Sequence, residues 1–260
     1  MNRTSIPALA AAMLGLASSA PAALVAHYNV DNNTTNLGTR GAAANGTLNG
    51  ATYSTTVVSP YPGSTHSLDL NTGVSNMSVT PAQLTVNGSY TAAVWVNVDT
   101  MPAAGSTGNI FGAYQAASPF QHNFLLRVVQ STNQINFISR DSDGSTVQLN
   151  SAFTLDTWNH FAVTFNSATS SAQMFLNGVS IGTAAMTAGT TPGFGSFPAQ
   201  THAGLGGFTG ADSMNGFVDD ARLYDEVLTQ TQIQALLVPE PSAALLGGLG
   251  ALALLRRRRA

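Results

Sequence analysis

Along most of the chain, apolar residues recur at every second position rather than at helical spacing, which is the mark of strands with one buried face. Tyr90 to Val98 sets Val94, Val96 and Val98 on one side. Phe161, Val163 and Phe165 alternate with Ala162 and Thr164, and Phe124 to Val129 with Gln134 to Arg140 forms a further alternating pair. Asn87-Gly88, Asp143-Gly144, Asn177-Gly178 and Asn215-Gly216 interrupt these runs with residues that tolerate positive φ, and Asn177-Gly178 has the form of a hairpin turn. Only Thr229 to Leu237 reads as a helix, with Ile233, Leu236 and Leu237 at helical spacing and Thr229 as N-cap. Many short strands, frequent turns and no βαβ alternation predict an all-β fold, an antiparallel β-sandwich or jelly roll with one short C-terminal helical turn.

Both ends break this pattern. Arg3, an apolar stretch from Ile6 to Leu16, and small residues through Ala23 form a secretory signal peptide, with cleavage expected after Ala22 or Ala23. At the other end Val238-Pro239-Glu240-Pro241-Ser242 precedes an uncharged run, Ala243 to Leu255, followed by Arg256, Arg257, Arg258 and Arg259. The two prolines separate this run from what comes before it. Its 13 residues reach only about 20 Å as a helix, a marginal anchor whose arginines belong on the cytoplasmic side. The expected organisation is a signal peptide over 1–23, one sandwich domain over 24–237 and a sorting tail over 238–260. The tail resembles the PEP-CTERM sorting signal of Gram-negative bacteria. That resemblance implies transient inner-membrane anchoring through 243–259, removal of the tail by a membrane protease of the exosortase type, and release toward the extracellular polysaccharide. The arginine cluster is then a topology signal, and no nucleic-acid partner is expected.

Charge narrows the central domain. Between Leu24 and Val238 there are four basic residues, Arg40, Arg127, Arg140 and Arg222, no lysine, and eleven carboxylates, a net charge of −7. Such a surface is built from Thr, Ser, Asn, Gln and Gly, suits an extracellular setting, and as a whole argues against polyanionic partners. With no cysteine, disulfides, thiolate metal sites and cysteine nucleophiles are excluded.

Three segments, taken in order, resemble the laminin-G-like, concanavalin-A-like jelly-roll superfamily: Asn87 to Val96, Thr157 to Phe165 leading to Phe175-Leu176-Asn177-Gly178, and Met214 to Tyr224. The resemblance implies the fold and leaves function open, since lectins, adhesion modules, glycosidases and structural fillers share it. Where such domains show an aromatic-Asp-Gly, this chain has Ser67-Leu68-Asp69-Leu70-Asn71, so no calcium site carries over at that place.

Catalytic chemistry finds little support. Glycoside hydrolysis needs two suitably spaced carboxylates, and Glu226 is the one glutamate of the domain. Asp141 and Asp143 have strand-like spacing, but Asp143-Gly144 reads as a turn. His27, His66, His122, His160 and His202 are scattered without metal-site spacing, and His160 reads as a satisfied structural histidine. Asp219 shares strand parity with Phe217, Ala221 and Leu223, so it is expected to point inward, held either by backbone N–H donors or by calcium, the candidate ion. Asp220 and Arg222 are expected to be a solvated surface pair. Trp95 and Trp158 read as core, whereas Tyr114, Phe120, Phe194 and Phe197 lie in or beside loops and are the ligand-binding candidates. The reading that results is a non-catalytic carbohydrate-binding or adhesion module at the cell surface or in the matrix; the alternatives are a structural matrix protein without a discrete ligand and a glycan-active enzyme.

Overall fold

A computed structural model describes residues 22–58, 63–115, 121–141, 144–187, 200–210 and 212–237. The signal peptide up to residue 21, the sorting tail, Asp143, Phe120, Phe194 and Phe197 lie outside the described residues. In chain order the strands are β1 (Leu24–Tyr28), β2 (Thr47–Asn49), β3 (Thr52–Ser54), β4 (Ser67–Asp69), β5 (Asn76–Ser78), β6 (Tyr90–Thr100), β7 (Thr107–Gln115), β8 (Gln121–Val129), β9 (Gln134–Arg140), β10 (Thr146–Ser151), β11 (Trp158–Asn166), β12 (Ser171–Leu176), β13 (Val179–Ala185), β14 (His202–Gly206) and β15 (Asn215–Tyr224). They form two antiparallel sheets. Sheet A runs β13-β12-β11-β6-β15-β4-β3 with β1 also paired to β15, and sheet B runs β10-β9-β8-β7-β14-β5-β2.

The alternating runs do what their period dictates. Val94, Val96 and Val98 of β6 and Phe161, Val163 and Phe165 of β11 enter the core between the sheets, opposite Phe111, Phe124, Leu126 and Phe137 of sheet B. Rings join the two layers: Tyr90 of sheet A lies 5.9 Å from Phe124 of sheet B, while Tyr90 also stacks on Phe165 within sheet A at 5.6 Å and Phe124 meets Phe111 edge-on within sheet B at 5.0 Å. Full burial of each such side chain stabilises the fold by about 2–3 kcal/mol. The Asn177-Gly178 hairpin forms between β12 and β13, with φ of 49° and 75° at its two residues.

Two short helices flank the sheets. The four-residue α1 (Pro81–Leu84), which the alternation pattern does not announce, starts on a proline whose missing N–H costs nothing at a first turn. The helix α2 (Gln230–Ala235) begins at Thr229 with a capping box to Gln232. Its Ile233 and the adjacent Leu228 and Leu236 cover Ala93, Ala162, Phe175 and Tyr224 on the outer face of sheet A, the face turned away from sheet B, and so build a second, smaller core. Among the described residues no helix is long and apolar enough to cross a membrane.

Three local expectations are corrected. Asn215-Gly216 is not a turn but the start of β15, where Gly216 passes so close to β6 that a Cβ would lie 2.1 Å from the Asn97 carbonyl oxygen. Trp95 and Trp158 are only partly buried. Because valines occupy the core positions of β6, Trp95 must take the opposite face, where it meets His160 edge-on at 5.1 Å. The third concerns Asp219 and its neighbours on β15.

Candidate functional site

Two polar clusters stand out, one on the outer face of each sheet. On β15 the register against β6 shifts between Asp219 and Arg222, and Asp220 adopts φ 47°. This bulge resets the side-chain parity. Val218, Ala221 and Leu223 all reach the main core, so Asp219 is displaced from it toward the outer face. It is nevertheless only 1% exposed. Its carboxylate accepts from Ser64 Oγ at 2.6 Å and from the Asp220 backbone N–H at 2.7 Å. Burial, moderated by these bonds, raises its pKa to about 7. Asp220 is no surface residue either: 4% exposed, it accepts from His27 Nε2 at 2.7 Å and from Arg222 Nε at 3.0 Å. Burial alone would raise its pKa, but these two partners win and hold it below the usual value. His160 is fully buried, its Nδ1 has no hydrogen-bond partner, and burial lowers its pKa to about 4.

Calcium fits this cluster poorly. It takes six to eight oxygen ligands, and the neighbouring acid, Asp31, already accepts from the Thr65 and His66 backbone N–H groups, Thr65 Oγ1 and Asn29 Nδ2. Both carboxylates are thus committed to protein donors. Among the described residues no group of three or more His, Asp or Glu side chains could hold a metal ion.

The second cluster gathers residues that sequence leaves far apart. Strand pairing sets His202, Tyr114, His122 and Arg140 side by side across β14, β7, β8 and β9. One step along the strands, Gly204, Gly112, Leu125 and Ile138 form the next row. A further step on, Arg127 stands beside Asn136 and donates to its Oδ1 at 3.0 Å. Leu126, Val128, Ile135 and Phe137 take the core face of β8 and β9, so Leu125, Arg127, Asn136, Ile138 and Arg140 face outward.

Tyr114 is the centre of this face. His202 stacks on its ring at 5.4 Å and 18°, and Phe208 stands edge-on to both, at 4.8 Å from His202 and 6.2 Å from Tyr114. The phenol donates to Asp212 Oδ2 at 3.0 Å and accepts from Asn109 Nδ2 at 2.8 Å. Burial and the Asp212 charge keep the phenol from ionising. Asp212 Oδ1 in turn accepts from Thr209 N–H and Oγ1 at 2.6 and 2.9 Å. Beside this aromatic group three buried polar atoms, His122 Nδ1, Asn109 Oδ1 and Gln121 Oε1, have no hydrogen-bond partner. Burial, then Arg127 and Arg140, lower the His122 pKa to about 4, so the ring is neutral at pH 7.

Of the four aromatic candidates, only Tyr114 lies among the described residues, and it sits near the end of a strand rather than in a loop. His122, His202, Phe208, Asn109 and Asp212 escape a linear reading because the register of distant strands and the connection between β14 and β15 bring them together.

A sandwich of two antiparallel sheets is the architecture of the concanavalin-A-like jelly rolls. The family model described as the concanavalin A-like lectin/glucanases superfamily, Laminin_G_3, matches residues 71–234, and the chain belongs to that family. Among solved structures it is similar to domain 4 of AbnA, a GH43 extracellular arabinanase from Geobacillus stearothermophilus, solved in complex with arabinotriose; identity is 19%, the TM-score 0.58, and the match covers 83% of this chain and 98% of that one. It is also similar to the receptor binding domain of botulinum neurotoxin mosaic serotype C/D, at 10% identity and a TM-score of 0.59, covering 83% of this chain and 50% of that one. The binding domain of Paraclostridial Mosquitocidal Protein 1 matches at 12% identity and a TM-score of 0.56, covering 83% of this chain and 52% of that one. At these identities the likeness is one of fold. No curated protein matches the sequence.

Proposed function

We propose that the central domain is a non-catalytic carbohydrate-binding module whose ligand face is the outer face of sheet B around Tyr114. The observation that carries this reading is the Tyr114–His202–Phe208 aromatic group set beside the unpartnered His122 Nδ1, Asn109 Oδ1 and Gln121 Oε1. Flat apolar rings with a few convergent polar atoms match a sugar, which has an apolar ring face and a hydroxyl rim. Glycan-complexed domain 4 of AbnA, of the same fold, supports the reading by analogy. Hydrolysis would need a second carboxylate opposite the first, whereas Asp212 is the acid beside Tyr114 and its oxygens accept four protein hydrogen bonds.

Phe208 is partly exposed and makes no side-chain hydrogen bond that its loss would strand. Phe208→Ala should therefore leave the fold intact and weaken binding on a polysaccharide panel about tenfold, near 1.4 kcal/mol. Binding unchanged by this substitution would move the ligand elsewhere, and a protein that binds no glycan would be a structural matrix component.

The proposal extends to destination. The signal peptide and the PEP-CTERM-like tail support export, exosortase-type processing and residence at the cell surface or in the extracellular matrix. Protein recovered from the cell surface and medium should have an intact mass beginning near Ala23 or Leu24 and ending near Pro239 to Ser242. A mass that retains Arg256 to Arg259 would mean a membrane-tethered protein.

A further inference from the structure

The charges of the two sheets are segregated. The strands of sheet A carry Asp69, Asp99, Asp219 and Asp220, whereas the seven strands of sheet B contain no Asp or Glu, two arginines and two histidines. The arginines are placed differently too. Arg222 is committed to Asp220, and Arg40 donates to the Ala82 and Thr85 carbonyls. Arg127 and Arg140, on the outer face of sheet B, form no ion pair with a carboxylate among the described residues. Both are partly exposed. Arg127 spends its Nε on Asn136, which leaves the two terminal nitrogens of its guanidinium fork for another partner.

Arg140 pairs in register with His122, and Arg127 with Asn136, four residues further along β9. The two guanidinium groups thus stem from positions about 13 Å apart along the strands, with Leu125 and Ile138 forming an apolar strip between them. Among the described residues the acids nearby are withdrawn: Asp212 takes its four donors, and Asp141, next to Arg140, is buried. Two forked cations separated by an apolar strip, at one end of which stand Tyr114 and His202, match a polymer that repeats an anionic group on successive rings.

Resting on the glycan-binding reading above, we infer that the ligand is a carboxylate-bearing polysaccharide, a polyuronate, held by Arg127 and Arg140 across the outer face of sheet B. The net charge of −7 that argues against polyanions for the chain as a whole does not describe this face, because no acid lies on a strand of sheet B. A guanidinium fork donates two parallel hydrogen bonds to a carboxylate, and removing one side of such a contact is costlier than removing an ordinary surface pair.

Direct binding of the full chain to polygalacturonate, dextran, arabinan and polyglutamate tests this. Polygalacturonate should bind at least tenfold more tightly than dextran or arabinan, and the binding should weaken severalfold between 50 and 500 mM NaCl, the behaviour of exposed charge contacts. Arg127→Gln with Arg140→Gln should abolish the preference in a protein that still melts cooperatively, at a lower temperature because Asn136 Oδ1 loses its donor, and the salt dependence of the unsubstituted protein serves as the readout if that variant fails to fold. Equal, salt-insensitive binding to neutral glycans would overturn the polyuronate assignment and leave the glycan-binding reading standing. Polyglutamate bound as tightly as polygalacturonate would overturn it in favour of charge alone. Binding to none of the glycans would sink the underlying reading itself.

Discussion

Gly204→Ala should cost more than about 4 kcal/mol, the range reserved for changes that the structure cannot absorb. Gly204 lies on β14 between β5 and β7, opposite Ser78 on one side and Gly112 on the other. An added Cβ would stand 1.9 Å from the Met77 carbonyl oxygen, and the residue's φ of 137° is one that side chains resist. The obstacle is backbone, so no rotamer relieves it. To fold at all, β14 would have to separate from β5, which would also carry His202 away from Tyr114. Urea denaturation reads the cost directly, and a midpoint close to the unsubstituted protein would show that β14 and β5 are not joined as described.

Acidification should destabilise the domain through two buried histidines and be opposed by one buried acid. His122 and His160 stay neutral in the fold down to about pH 4, whereas an unfolded histidine takes up its proton near 6.5. Their contribution is complete above 6.5 and is lost as pH falls toward 4. Asp219 has the opposite sign: its folded carboxyl keeps a proton up to about pH 7, against 3.8 when unfolded, so its contribution is complete at low pH and is lost as pH rises through 7. Between pH 7 and 5.5 the histidines together lose about 2–3 kcal/mol and Asp219 returns about 1–2, leaving a net loss on the order of 1 kcal/mol. Asp219→Asn removes the opposing contribution and should widen the loss over that interval to about 2–3 kcal/mol. Urea midpoints at the two pH values, for both proteins, check this. A variant with the same pH dependence as the parent would mean that Asp219 is ionised throughout.

The layered fold was legible because alternation of apolar residues is a local property that the tertiary structure respects: Val94, Val96, Val98, Phe161, Val163 and Phe165 go where period two sends them. The Asn177-Gly178 hairpin and the Thr229 cap were legible for the same reason, being written in adjacent residues. Asp219 was misread because one residue inserted at a bulge inverts parity, and nothing in Val218-Asp219-Asp220-Ala221 marks where the extra residue falls. That insertion also pulls Asp220 out of solvent and against His27. The proposed ligand face was legible only through Tyr114. His122 and His202 join it through pairings between distant strands, and Phe208 through the connection that follows β14, none of which a pass along the chain evaluates.

The second core on sheet A bears on how the domain is held. Ala22 and Leu24 pack against the same cluster that α2 closes, so the polypeptide enters and leaves the domain over one face, the one opposite Tyr114. Any tether continuing past Leu237 therefore starts from the back of the molecule. On the proposed reading, a domain still fastened to a membrane in this way would have its Tyr114 face unobstructed, so that polymer capture would not have to wait for the fastening to be cut.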